Sequence, residues 1–208
     1  MAYLHWLLDH GVIRSPVLDV GGRDVNGSTR TACTERGLEW ASADIEEGAD
    51  YRLDISDSAS VAALGDAWGS VLLFNILEHL YNPIEALENA VGMMSAGGTC
   101  AVITPTVWQL HDWPMDCWRP LPDFYSTFAE RNRCEIVDDS FRWIHADGHT
   151  SVDAYVDGGQ RMMPSRLTGP RPLHRDYSRV VHRALRTTGR QAFFPWLALG
   201  VTFRSAPS

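Results

Sequence analysis

"SPVLDVGGRDVNGSTR", residues 15–30, decides how this chain is read. A short apolar run, "PVLDV", ends in an aspartate and two adjacent glycines, and cap-forming residues follow. Apolar residues without alternation mark a strand buried on both faces. Gly21 and Gly22 carry no Cβ where the strand gives way to a helix. A ligand can therefore lie against the backbone there and meet the free N–H groups of the helix start.

The pattern repeats along the chain. "LEWASAD" and "ADYRLD" read as a second and a short third strand, "SVLLFN" as a buried fourth and "GGTCAVITP" as a fifth. Helices are expected between them: "NGSTRTACTERG", "DSASVAALGDAWG" with Asp57 or Ser58 as cap, and "NPIEALENAVGMM" with Pro83 at its first position. "AYLHWLLDHGVI" forms a helix ahead of the first strand, and "LPDFYSTFAERN" one after the fifth. "CEIVDDSF" and "WLALGVTFRS" supply two late strands. Strands alternating with helices predict an α/β fold, a doubly wound, mostly parallel sheet covered on both faces. The expected divisions of this single domain are a helix at 1–14, a core at 15–140, an insertion acting as a lid at 141–195, and a last strand at 196–204.

The totals bound the function. The chain has 208 residues, 45% of them apolar, which suits one globular domain rather than a disordered chain. No long apolar run and no basic leader is present, so a cytoplasmic protein without membrane contact is expected. Cys33, Cys100, Cys117 and Cys134 form no Cys-x-x-Cys pair and read as reduced thiols. The net charge of −8 argues against nucleic acid as a partner. That charge is uneven: 9 arginines face 25 acids in residues 1–160, against 9 arginines and the single Asp176 beyond, with no lysine anywhere. Arg175, Arg179, Arg183 and Arg186 fall on one helical stripe, either a solvated face or a landing place for an anionic acceptor.

The ligand at the glycines is not a dinucleotide, because "GGRDVNG" does not fit Gly-x-Gly-x-x-Gly in any register. Asp19 at the strand end would repel a pyrophosphate and suits a cationic ligand. Asp44, ending the second strand, can accept both hydroxyls of a ribose, and Asp54, after the third, the amine of an adenine. Ligands in such sheets sit beyond the carboxyl ends of the strands. An adenosine with a phosphate-free cationic extension, S-adenosyl-L-methionine, meets all three demands.

"VLDVGGRDVNG", "ADIEEGADYRLD" and "FNILEHLYNPIEALENAVGMMSAGGTCAVITPT" together resemble the class I S-adenosylmethionine-dependent methyltransferases of the small-molecule type found with glycan and secondary-metabolite pathways. The resemblance implies a Rossmann-like seven-stranded sheet with a terminal antiparallel hairpin and a long insertion before the last strand. It also implies that Asp19, Gly21 and Gly22 cradle the methionine part of the cofactor. Asp44 and Ile45 would hold its ribose and one adenine face, and Leu53, Asp54 and Ile55 the adenine edge. Asn75 and Ile76 would close over it. Two departures stand out: Gly22-Arg23 replaces the family's usual glycine spacing, and the link from Asp44 to strand three has no room for a helix.

For a hydroxyl acceptor the chemistry needs an aligned nucleophile and a base. His79 in "LEHL" is nearest by position, with Glu78 expected to orient local backbone. "TPTVWQLHDWPMDCWRP" is similar to a segment of the glycan-associated enzymes that lies over the site mouth. It implies His111 as base, Asp116 as its polarising partner or as a ligand of an acceptor hydroxyl, and Trp113, Trp118 and Arg119 against the acceptor. A packed, ion-paired turn explains the same residues. His145, Asp147, His149 and Asp153 have metal-compatible spacing, yet a polar loop explains them equally, and no metal is expected. Met162, Met163, Phe193, Phe194 and Trp196 suit a plastic lid or a contact between two copies in a homodimer. The competing classes are transfer to nitrogen or carbon, a binding protein without turnover, and a nucleic-acid enzyme, which "FNILEH" in place of an Asn/Asp-Pro-Pro-aromatic motif disfavours.

Overall fold

The structure is a computed structural model that describes residues 1–22, 29–108, 110–111, 115–145, 152–154 and 197–205. Five helices are described: α1 (Ala2–Asp9), α2 (Thr29–Thr34), α3 (Ser58–Leu64), α4 (Pro83–Gly92) and α5 (Pro122–Arg131). The strands are β1 (Val17–Val20), β2 (Trp40–Asp44), β3 (Tyr51–Arg52), β4 (Trp68–Phe74), β5 (Met94–Val107), β6 (Cys134–Ile136), β7 (Arg142–His145), β8 (Val152–Ala154) and β9 (Leu197–Ser205). Local chemistry sets the helix starts. The Asp57 carboxylate accepts from the N–H groups of Ala59 and Ser60 at the head of α3. Asn82 caps α4, where Pro83 has no N–H to lose.

One mixed sheet runs β3-β2-β1-β4-β5-β9-β7-β8, with β6 also paired to β9. β3, β2, β1, β4 and β5 are parallel neighbours, and β9 enters antiparallel between β5 and the β6/β7 side. Alternate residues of β1 serve opposite faces. Leu18 and Val20 join the core with Leu87 of α4 and Phe128 of α5, whereas Val17 packs with Leu4 and Leu7 of α1 and Cys33 of α2. α1 is also bolted to the last strand: the Tyr3 hydroxyl donates to the Ser140 carbonyl at 2.7 Å and lies 2.8 Å from Thr202 Oγ1.

Among the described residues the sheet has nine strands where seven were expected. β6 and β7 lie end to end along β9, Ile136 opposite Phe203 and Arg142 opposite Gly200, and behave as one strand interrupted at the residues between them. Counted so, the seven expected positions are filled, and β8 is added outside β7. The expected insertion at 141–195 consequently starts too early, because Arg142–His145 belong to the sheet. Apart from β8, its residues beyond His145 lie outside the described ones, as do Trp113 and the arginine stripe at 175–186. The β2–β3 link holds no helix. Asp50 closes it by accepting from both the N–H and the hydroxyl of Ser42, which holds its carboxyl below the usual range.

Candidate functional site

Asp19 is buried at the end of β1. Its carboxylate accepts from the Thr29 hydroxyl, joining the strand end to the start of α2. Gly21 has a φ of +73°, and a Cβ there would stand 2.1 Å from Ile76 Cδ1. A Cβ on Gly22 would stand 2.8 Å from the Asp19 carboxyl carbon. The side-chain-free turn is thus required by protein packing as well as by any ligand: Ile76 and Asp19 fill the volume that side chains would take. Gly21 N–H donates to the Ala43 carbonyl at 2.7 Å, which draws the ends of β1 and β2 together.

The two further acids hold their own turns. Asp44 accepts from Glu46 N–H at 2.9 Å through one carboxylate oxygen, and Asp54 accepts from the N–H and hydroxyl of Ser56. Ile45 is 56% exposed beside Asp44, a side chain open to a flat apolar partner. Leu53 and Ile55 are core residues, and the Leu53 N–H is already donated to the Asp44 carbonyl. Of the triplet 53–55, only Asp54 presents its side chain to solvent. Asn75, directly after β4, has a φ of +57°, a left-handed conformation that asparagine tolerates better than most residues. Its N–H donates to the Ile103 carbonyl of β5, so the strained turn is tied to the sheet.

That turn feeds a one-turn 3-10 helix, Leu77–His79, and residues 115–119 are strapped across it. Cys117 N–H donates to the Glu78 carbonyl at 2.7 Å. His79 Nδ1 lies 2.6 Å from the Met115 carbonyl oxygen, which can only accept. The ring proton therefore sits on Nδ1 and the lone pair on Nε2. His111 stands edge-to-face with His79, ring centroids 5.0 Å apart. Its Nδ1 is 3.3 Å from Asp116 Oδ2, and its backbone N–H donates to the same oxygen. Asp116 is held ionised: hydrogen bonds from the Arg119 guanidinium pull its carboxyl down to about 2. A carboxylate at Nδ1 again places the proton there and the lone pair on Nε2.

The structure brings His79, His111 and Asp116 together. Arg119 pairs two-pronged with Asp116 and donates to the Trp118 carbonyl. The Trp118 ring packs edge-to-face on Phe124, centroids 4.7 Å apart. These contacts fix the strap rather than an acceptor, so the packed-turn reading describes both residues. The residue whose weight the sequence did not disclose is Glu78. It is fully buried, neither carboxylate oxygen has a hydrogen-bond partner among the described residues, and burial pushes its carboxyl up to about 8. Nothing in "LEHL" distinguishes it from a solvated glutamate.

No protein-family model matches the chain, and no curated protein matches it by sequence. Solved structures do. A S-adenosylmethionine-dependent methyltransferase from Archaeoglobus fulgidus matches with a TM-score of 0.56 and 16% identity, over 98% of this chain and 92% of that one. The 1,6-didemethyltoxoflavin-N1-methyltransferase of Burkholderia thailandensis, solved with bound 1,6-didemethyltoxoflavin and S-adenosylhomocysteine, matches at 0.57 and 12%, over 99% and 77%. The [4+2]-cyclase SpnF matches at 0.54 and 14%, over 99% and 81%. The fold is that of the class I S-adenosylmethionine-dependent methyltransferases. Among the described residues, no helix is long and apolar enough to cross a membrane.

Proposed function

We propose that this protein transfers a methyl group from S-adenosylmethionine to a small-molecule acceptor, a hydroxyl of a sugar or specialised metabolite. The observation that carries the reading is the β1 turn: a buried carboxylate beneath two glycines, flanked by acidic turns after β2 and β3, on a methyltransferase fold. The donor set fits the cofactor. Asp44 and Asp54 each offer acceptor oxygens for ribose hydroxyls and an adenine amine, Ile45 an exposed apolar face, and Asp19 a negative field for a sulfonium. Asn75 and Ile76 wall the same cradle from β4.

When bound, the cofactor supplies an electrophilic methyl carbon. The acceptor oxygen forms the new C–O bond as the C–S bond breaks, its electron pair staying on sulfur to give S-adenosylhomocysteine. The hydroxyl proton passes to a histidine Nε2, on His79 or His111, both set for that task by partners at Nδ1. This pair of preset acceptors favours oxygen over nitrogen or carbon, where a base is needed less. Arg119 acts as a positioning residue through Asp116, and the excess of arginine over acid beyond residue 160 favours an acceptor that carries an anionic group. A cytoplasmic setting and the pairing of two copies belong to the same proposal.

Titration calorimetry with S-adenosylmethionine and S-adenosylhomocysteine tests the reading. Binding of both, weakened by Asp44→Ala, supports it, and absence of heat with either overturns it. S-adenosylhomocysteine release with a panel of hydroxylated acceptors then separates a transferase from a cofactor-binding protein without turnover. The cyclase among the fold's neighbours gives that second arm its purpose.

A further inference from the structure

We infer that Glu78, His79 and His111 form a binding site for a divalent transition metal such as zinc. One ligand atom from each lies within 4.8 Å of the others, and His79 Nε2 is 3.8 Å from Glu78 Oε1. Atoms bound about 2.1 Å from a tetrahedral metal stand roughly 3.4 Å apart, so modest side-chain rotation closes the set. The first independent sign is Glu78. A buried carboxylate without hydrogen bonds is costly, and a cation beside it removes the cost. The second is the arrangement behind the imidazoles. Metal-binding histidines give their other ring N–H to a carbonyl or carboxylate, which fixes the tautomer. His79 has the Met115 carbonyl in that place and His111 has Asp116, itself clamped by Arg119. Two nitrogens with one oxygen suit zinc, iron(II), cobalt or manganese better than magnesium or calcium.

Three protein ligands leave at least one coordination position open. Resting on the transferase reading, that position orients the acceptor's oxygen, so the acceptor class narrows to molecules that present an oxygen donor to a metal. With a metal bound, the two histidine lone pairs serve it, the metal lowers the pKa of a coordinated acceptor hydroxyl, and its proton leaves to solvent; the histidines take that proton only in the metal-free protein. Metal binding itself does not depend on the transferase reading.

The full chain, stripped with chelator, is titrated with Zn²⁺, Mn²⁺ and Mg²⁺ by calorimetry, and its Co²⁺ form is examined by visible absorption. The expected result is one Zn²⁺ per chain at micromolar affinity or tighter, little response to Mg²⁺, and cobalt d–d bands of a nitrogen-containing site. His79→Ala and His111→Ala should each weaken Zn²⁺ at least about 100-fold, and the outer-sphere change Asp116→Asn about 10-fold. Glu78→Gln, which keeps the shape of the buried side chain, should also weaken it. No binding at millimolar Zn²⁺, or binding that survives His79→Ala/His111→Ala, overturns the site. Full turnover in chelator with metal-free protein overturns the acceptor-orienting role while leaving the transferase reading intact. Zinc bound with no heat from S-adenosylmethionine has the reverse meaning.

Discussion

The two halves of the site are built differently. Around the ends of β1, β2 and β3, each acid spends its bonds on backbone or hydroxyl groups close by: Asp44 on Glu46, Asp54 on Ser56, Asp19 on Thr29. Around the 3-10 helix after β4, the partners come from far along the chain, His79 bonding to Met115 across 36 residues and Glu78 held under Cys117. In the first half each of these acids has a hydrogen-bond partner close by in the chain. The second stores a buried acid with no hydrogen bond among the described residues and a left-handed asparagine. Strain and unmet polar groups gather where chemistry is done, and they are stable only when distant segments hold them in place.

The largest effect expected from this contrast is on pH. Glu78 titrates near 8 in the folded protein and near 4.5 in its ordinary setting. Its raised value means the folded state keeps a proton that the unfolded chain loses, so stability falls as pH rises between those values and levels off above 8. Denaturant melts of chelator-treated protein should show a decline on the order of 4 kcal/mol across that window, and Glu78→Gln should flatten it. A flat wild-type profile would show that Glu78 is solvated.

Gly21→Ala ranks next. Its Cβ meets Ile76 Cδ1 at 2.1 Å and its φ is positive, so a loss of about 3 kcal/mol is expected in the same melts. Adding Ile76→Ala should return the packing share and leave the backbone share. Asp44→Ala should weaken S-adenosylmethionine about 10- to 100-fold by calorimetry, the worth of charged hydrogen bonds, while barely moving the melting midpoint. The smallest effect, about 1 kcal/mol, belongs to Asp57→Ala, which removes a helix cap distant from both halves.

This contrast also explains what could be read in advance. The turn after β1 and the acids after β2 and β3 are short-range devices, so residue type and spacing exposed them, as they exposed Asp57, Asn82 and Pro83 at the helix starts. Seven sheet positions were legible for the same reason: each strand announces itself by its own apolar run. The break between β6 and β7 was not, because it appears only against β9. Leu53 and Ile55 were assigned to adenine by motif position, yet alternation around the exposed Asp54 turns both into the core. Trp118 and Arg119 left two readings open, acceptor contact or a packed, ion-paired turn, and only the geometry around Phe124 and Asp116 displays the contacts of the turn. Glu78 was passed over because burial is a property of the whole fold.

The position of β9 bears on how the protein is made. It is an interior strand, flanked by β5 on one side and by β6 and β7 on the other, yet it is the last of the nine to leave the ribosome. Until residues 197–205 emerge, the long edge of β5 is unpaired, and Tyr3 lacks its partner Thr202. A nascent chain in that condition is a template for wrong strand pairing. The parallel half can assemble during synthesis, but the sheet is joined into one piece only by a late, long-range insertion.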